Sequence, residues 1–479
     1  MRTRAGSDHG LKRGLLVLAA GLSLAGCIGL PPKPRPVDLP AQAPLDAGTP
    51  AGAQWPATDW WKQYHDPDLD RLVDLALASS PTLATAHARL DSARESVRLA
   101  GAATGAHVEA TGDASRQRLS DNGLFPPNLL GFHWYDQFDL GLQASYTFDW
   151  WGKQKDAVDS AIDEARASQA DRTAAALVLA SSVTDTYFAW QADQSRLALA
   201  REREATTLRE AGITRARIRA DLEPADEMQR ADAAVAAVRQ GIAALEGASR
   251  LQRVALAALV GRPAGELPGL SPKPLPAVTQ ALPDDVRIDL LARRADLTAS
   301  RWRVEAAERT RDAARAEFYP DVSINALVGL QSRDIVKLLR YDSRVPEAAA
   351  AIHLPLFDAG RLKARYGAAQ AAIDAAVAGY TETLLDAARD VATQAATRAQ
   401  IGAERALRQR QLDAALGLQA AAAARVRQGV ADSRVELTAA QDTIDQRDAL
   451  LQLDAAAVAA DIGLKRALGG GYERDGKTP

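Results

Sequence analysis

From Phe138 to Asp149 the chain alternates strictly: Phe138, Leu140, Leu142, Ala144, Tyr146 and Phe148 are apolar, while Asp139, Gly141, Gln143, Ser145, Thr147 and Asp149 are polar or small. A period of two predicts a β-strand with one apolar and one polar face. After Trp150, Trp151 and Gly152 that period stops, and an Ala-, Lys- and Asp-rich run without Gly or Pro continues from Lys153 to Ala211. This run predicts a very long helix. Three more alternating stretches lie near 107–115 (Val108, Ala110, Gly112, Ala114), 321–331 (Val322, Ile324, Ala326, Val328, Leu330) and 348–357 (Ala350, Ile352, Leu354, Leu356). All four are about 9 to 12 residues, the length of a tilted transmembrane strand. Four strands cannot close a barrel alone, because the smallest bacterial barrels have about eight. Copies of the chain must complete it.

The plan occurs twice. Phe148-Asp149-Trp150-Trp151-Gly152-Lys153 has a counterpart in Phe357-Asp358-Ala359-Gly360-Arg361, and the two glycines are 360 − 152 = 208 residues apart. The same step carries Arg217 and Arg219 onto Arg425 and Arg427. Long helices are expected over 152–219 and 360–428, each about 100 Å at 1.5 Å per residue. Shorter return helices are expected over 224–261 and 433–468, and entering helices near 68–103 and 284–318, each about 50–55 Å. One helix from each short set, placed end to end, equals a long one, as a tall helical cylinder would require. Pro224 suits the first helical position, Gly429 the end of the preceding helix, and Ser433-Arg434-Val435-Glu436 a capping box. Beyond that turn Val430, Leu437, Ile444, Leu451 and Val458 recur every seven residues, a spacing for packing against a neighbouring helix. The expected organisation is a leader over 1–26, a tether over 27–56, a first repeat over 57–270, a linker over 271–283, a second repeat over 284–471 and a tail over 472–479.

Composition narrows this picture. Aromatic residues are only 5% of the 479, which favours helices packed through small side chains over several dense aromatic cores. Arg2, Arg4, Lys12 and Arg13 precede an apolar run from Leu15 to Ala25, the pattern of a secretory signal. It stops at Leu24-Ala25-Gly26-Cys27, which resembles the lipobox of bacterial lipoproteins, where the cysteine is acylated and becomes the first mature residue. Cys27 is the single cysteine, so lipidation leaves neither disulfides nor thiolate metal sites. Ile28 and Gly29, in place of an aspartate beside the cysteine, favour the outer membrane. A run of prolines from Pro31 to Pro56 makes the tether extended. Losing four basic residues and one acid with the leader takes the formal charge from −3 to −3 − 3 = −6, a poor match for nucleic acid. No later stretch has the roughly 18 consecutive apolar residues of a membrane helix. The six histidines form no HExxH pair, and no Gly-x-Ser-x-Gly or phosphate loop occurs in the mature chain, so nothing supports an enzyme.

With these motifs in order, the chain resembles the TolC-like outer-membrane efflux proteins, in their lipoprotein (NodT-type) branch. Asp59-Trp60-Trp61-Lys62, Glu317-Phe318-Tyr319-Pro320-Asp321 and Ala467-Leu468-Gly469-Gly470-Gly471 are also similar to that branch. The resemblance implies a mainly α fold with a transmembrane β part: a homotrimer whose twelve strands, four per chain, form one outer-membrane barrel continuous with a long periplasmic α-helical barrel. Trp150, Trp151, Gly152, Phe357 and Gly360 then mark the junction between barrel and tunnel. The two tryptophans either sit at the membrane boundary or plug the narrowing junction. The family's helical tips meet a periplasmic adaptor coupled to an inner-membrane pump of the RND or MFS type, and Arg217, Arg219, Arg425, Arg427, Gly429 and Val430 occupy those tips. The family narrows its tunnel just after the second turn. There Thr438 stands where relatives often carry a carboxylate, leaving Arg434, Glu436, Gln441 and Asp442 as further gate candidates. The first turn, Asp221-Leu222-Glu223-Pro224, lacks the usual glycine. No cofactor is expected apart from the lipid on Cys27, a palmitate included. The competing expectation is a lipid-anchored periplasmic coiled-coil adaptor or scaffold, which leaves the four alternating segments unexplained.

Overall fold

The computed structural model describes residues 33–40, 51–53, 55–123, 126–278, 282–283 and 293–472. The leader, Cys27, the tail beyond Tyr472 and the start of the helix expected from Asp284 lie outside the described residues. The chain divides into two units, one of residues 1–38, 91–166 and 301–379, the other of residues 39–90, 167–300 and 380–479.

Unit one contains an antiparallel sheet in the order β2 (His107–Arg118), β3 (Trp134–Phe148), β5 (Asp321–Ser332), β6 (Arg344–His353). Its register aligns Ala110, Leu142, Val328 and Pro346 in one row, and Gly112, Leu140, Leu330 and Arg344 in the next. Every even-numbered position therefore shares one face, apolar from Phe138 to Phe148 on β3 and from Val322 to Leu330 on β5. The other face carries Glu109, Thr111, Asp113, Asp139, Gln143, Ser323, Asn325 and Glu347. Three strands depart from expectation. β2 continues three residues further, to Arg118. β3 begins four residues earlier, at Trp134, and β6 covers Arg344–His353 rather than 348–357. The ladder stops at His353, paired with Asp321, just before Leu354-Pro355, where proline offers no N–H to extend it. Leu354 and Leu356 thus lie past the strand. Pro346 stands opposite Val328 inside β6, the last strand of this four-stranded sheet.

Helices α1 (Pro67–Ser79), α2 (Pro81–Ala102), α3 (Lys153–Arg219), α4 (Glu227–Val260), α5 (Ala295–Ala316), α6 (Arg361–Arg427) and α7 (Ser433–Ala467) supply the rest of the regular structure that matters here. Both α3 and α6 run 67 residues without a break. The unit boundaries fall inside α2, α3, α5 and α6. The single entering helix expected over 68–103 is two. Ser80 is extended, as the residue before a proline prefers, and the Ser79 hydroxyl donates to the Val260 carbonyl at 2.7 Å, fixing the break against the end of α4. Likewise α4 starts at Glu227, not at Pro224, whose carbonyl instead accepts the Glu227 N–H at 3.2 Å. The cap of α7 is Asp432 rather than Ser433: its carboxylate accepts the Arg434 N–H at 2.9 Å, adding a full negative charge at the positive helix end.

Unit two holds the dense core. Trp60, Trp61, Tyr187, Phe188 and Trp190 pack with Leu69, Leu72 and Val73 of α1, Leu256 and Val260 of α4, and Val458 and Ile462 of α7. Each such side chain, fully buried, contributes about 1.5–3 kcal/mol. At its polar centre the Tyr187 hydroxyl donates to Asp66 at 2.6 Å, Gln191 donates to that hydroxyl at 2.7 Å, and Lys273 pairs with Asp66. A short parallel pair, β1 (Ala51–Ala53) with β4 (Leu282–Pro283), belongs to the same unit.

Candidate functional site

The chain has two kinds of candidate station: the passage from sheet to long helix, and the turns where the long helices end. At the first passage the Asp149 carboxylate accepts the Lys155 N–H at 2.7 Å; at the second, Asp358 accepts from Leu362 at 2.8 Å and Gly360 at 3.1 Å. Both acids therefore hold the first turn of a helix, where orphan N–H groups and the helix dipole favour a carboxylate. The first passage contains one extra residue, and the two tryptophans behave differently. Trp150 is 65% exposed and stacks on Phe148 at 5.7 Å, which meets Tyr146 edge-on at 5.0 Å, so it prolongs the apolar face of the sheet. Trp151 stacks on Tyr319 at 4.7 Å and its indole N–H donates to the Pro320 carbonyl at 2.9 Å. It ties the first passage to the start of β5. Phe357 of the second passage is 88% exposed, and Gly152 and Gly360 both turn through positive φ.

The two far turns share one backbone geometry. After α3 the Leu222 N–H donates to the Arg217 carbonyl at 2.9 Å; after α6 the Val430 N–H donates to Arg425 at 3.0 Å. The left-handed residue is Asp221 (φ +53°) in the first and Gly429 (φ +71°) in the second, and 429 − 221 = 208, the repeat step. The turn is thus the same Schellman closure in both halves, formed in the first by a residue with a Cβ. Asp221→Gly should stabilise the protein by up to about 1 kcal/mol by removing that steric cost. The check is the thermal midpoint of the helical circular dichroism, and a lowered midpoint contradicts it. Leu222 (63%) and Val430 (70%) stand exposed beyond the two turns, as do Arg219, Arg425 and Arg427.

Beside these turns lies a cluster of charges. Glu223 accepts from Arg217 at 3.0 Å and also from Arg434, and Arg217 reaches Asp432 at 3.5 Å. The Arg434 guanidinium, and then that of Arg217, hold the Glu223 carboxyl below the usual glutamate range. Asp432 is lowered as well, chiefly by the Arg434 N–H it caps. Four residues from opposite halves of the chain are joined here. The cluster is the last rung of a ladder between α3 and α7. Gln441 donates to Glu210 at 2.9 Å, Arg203 pairs with Asp445, Arg447 with Glu202 at 3.0 Å, and Arg196 with Asp448 through two bonds of 2.8 and 3.2 Å. Arg196, Arg203, Glu210 and Arg217 on α3 are spaced by seven, as are Arg434, Gln441 and Asp448 on α7. The ladder is an antiparallel heptad seam made of polar groups. Beside it Leu437, Ile444 and Val458 are buried and Leu451 half-buried, whereas Val430 is not.

The gate candidates separate accordingly. Arg434 and Gln441 lie in the ladder. The Thr438 hydroxyl donates back to its own helix, at the Arg434 carbonyl, 3.0 Å away. Asp442 is exposed and Glu436 half-buried, with Asp432 taking the capping role. Among the tip candidates Arg217 is drawn into the cluster. The central acid, Glu223, was not singled out by the sequence, because nothing local pairs it with Arg434, 211 residues away. The seven-residue recurrence of charged groups on α3 was the signal that could have exposed the ladder. Among the described residues no group of three or more His, Cys, Asp or Glu could hold a metal ion, and no helix is long and apolar enough to cross a membrane.

A model of the family described as outer membrane efflux protein matches residues 72–262 and 287–470. The chain is 34% identical over 431 residues to the multidrug resistance outer membrane protein MdtP of Escherichia coli, a match covering 88% of each. Of solved structures, the outer-membrane channel OprN aligns with a TM-score of 0.82 at 26% identity, covering 93% of this chain and 99% of that one. The outer membrane protein VceC of Vibrio cholerae aligns at 0.78 and 31% identity, covering 88% and 100%. The sheet with one apolar face, the two unbroken 67-residue helices and the doubled turn are thus the features of a known architecture. The chain belongs to the TolC-like outer membrane efflux protein family, and it is an outer-membrane efflux channel with a periplasmic extension, not an enzyme.

Proposed function

We propose that three copies of the chain close a twelve-stranded barrel, four strands from each, and that their helices continue it as a periplasmic tunnel serving as the passive exit duct of a tripartite pump. The carrying observation is the sheet itself: four long strands, one face apolar, and both edges, β2 and β6, without a partner strand among the described residues. Long unpaired edges invite pairing, and four strands fall well short of the roughly eight that close the smallest barrels. The anchored-adaptor alternative leaves that sheet without a role. Cys27 carries the lipid, palmitate included, which places the protein in the NodT-type lipoprotein branch. Drugs or other small molecules are the cargo, in keeping with the name of MdtP. Energy comes from an inner-membrane pump of RND or MFS type, reached through an adaptor at the turns, where Arg219, Arg425, Arg427, Leu222 and Val430 are exposed.

At rest the Arg217–Glu223–Arg434–Asp432 cluster and the ladder above it hold α7 against α3, and the duct opens when adaptor binding parts them. Native mass spectrometry of the purified protein in detergent should give three chains, each with an acylated Cys27, and the same preparation should conduct ions in planar bilayers. A detergent-free monomer that conducts nothing overturns the reading.

A further inference from the structure

We propose that the apolar face of the sheet carries a lipid site at its outer end, in which an acyl chain of a phosphorylated outer-leaflet lipid lies in a groove and Arg344 receives the phosphate. The proposal rests on the reading that this face meets lipid. The groove has a volume of about 860 Å³, within the usual size of a small-ligand site. Leu140, Leu142 and Val328 form its floor, and the smaller Ala110 and Pro346 leave the space beside them. Its outer end is closed by Tyr341 and Arg344, whose guanidinium lies over the Tyr341 ring at 4.0 Å.

That end is a built structure. The β5–β6 connection is pinned by buried Leu338, by the Asp334 carboxylate accepting the Val336 N–H at 3.1 Å, and by the Ser343 hydroxyl donating to the Lys337 carbonyl at 2.8 Å. Residues 333–344 hold four basic side chains (Arg333, Lys337, Arg340, Arg344) and two acids (Asp334, Asp342), a net +2 on a chain of formal charge −3.

Register places this charge at the edge of the apolar band. Phe138 to Phe148 on β3 is ten residue steps, about 34 Å along the strand and about 25 Å of height once tilted, the height of an outer-membrane apolar band. Arg344 lies in the row of Leu140, one pair inside Phe138; Arg116, opposite Asp136, lies one pair outside. Arg116 is engaged with Asp136 at 3.7 Å and Arg118 with Asp121 at 3.2 Å. Among the described residues Arg344 has no carboxylate within ion-pair distance, although Asp342 lines the same end. A guanidinium held on an aromatic ring at the head of an apolar slot matches a phosphate with an acyl chain below it. A soluble partner would have no use for the slot.

The test is native mass spectrometry on the delipidated full-length protein, titrated with diphosphorylated lipid A, with the same lipid after phosphate removal, and with inorganic phosphate. The phosphorylated lipid should bind. Removing its phosphates should weaken binding about tenfold, the order of one charge-assisted hydrogen bond, and Arg344→Gln should weaken the phosphorylated lipid by the same factor. Arg344→Gln should leave the dephosphorylated lipid unchanged, Arg344→Lys should fall between Arg344→Gln and the natural protein, and Arg98→Gln, a surface control on α2, should retain full affinity. Equal binding of the two lipids to the natural protein overturns the proposal, as does full binding by Arg344→Gln or saturation by inorganic phosphate alone. Conductance measured on the same preparation separates the readings: a protein that conducts but ignores the phosphate refutes the lipid site alone.

Discussion

Replacing Gly469 with alanine is expected to cost at least about 3 kcal/mol, a large share of the roughly 5–15 kcal/mol that holds a typical domain together. Gly469 adopts φ +89°, and a Cβ there would stand 1.8 Å from the Arg293 carbonyl oxygen. The next two glycines are as confined: a Cβ on Gly470 would meet Leu177 Cδ1 at 2.1 Å, and one on Gly471 would meet the Ala57 carbonyl carbon and the Thr58 nitrogen at 2.3 Å. At Gly469 and Gly471 the obstacles are backbone, which cannot swing aside as a side chain does. The C-terminal glycines therefore fasten the end of α7 beneath three segments distant in sequence. A urea titration of the purified protein reads the effect as a lowered midpoint. Gly367→Ala, in the interior of α6 with no atom within 4 Å of its would-be Cβ, is the contrast and should gain about 0.5–1 kcal/mol. A Gly469→Ala protein with the natural midpoint would show that the segment packs some other way.

Glu223→Gln should raise resting conductance several-fold. It removes the carboxylate on which the Arg217 and Arg434 guanidiniums converge, leaving Arg217 with Asp432 at the end of the α3–α7 ladder and Arg434 without the Glu223 charge. The same cluster sets a pH dependence. The folded Glu223 carboxyl is depressed, so its contribution is present above the ordinary glutamate range and is lost only as pH falls through the lowered value. Resting conductance of the natural protein should accordingly stay low from neutrality through about pH 4.3, the ordinary glutamate value, and rise only below it. Glu223→Gln should be high and flat over that span. Single-channel recording across a pH series reads both. If the variant keeps the low resting level, the cluster does not hold the duct shut. Adding Gln441→Ala should raise the level further, since Gln441–Glu210 is the adjoining rung.

Much of the architecture was legible because it is periodic. The alternation in β3 and β5, the absence of Gly and Pro through most of α3, and the 208-residue step each depend on which face a residue presents, and that follows from spacing alone. Ends were less legible. The chain pattern continues past His353 to Leu354 and Leu356, but the ladder cannot, and only pairing with β5 reveals where it stops. The break at Ser80-Pro81 is written in the proline, yet the break is fixed by Val260, 181 residues from Ser79. The site divides in the same way. Arg434 and Gln441 were gate candidates from their place after the second turn, whereas Glu223, Glu210 and Asp448 join them only because α3 and α7 lie side by side.

The kinds of element, the doubling and the family were readable along the chain, because period, breakers and motif order are local properties. Tertiary structure alone decided which charges meet across the turns, which tryptophan joins the apolar face and which one ties two segments, and where a guanidinium closes an apolar slot. These depend on residues brought together from distant positions, and a contact that costs chain entropy to form leaves no mark in the spacing of either partner.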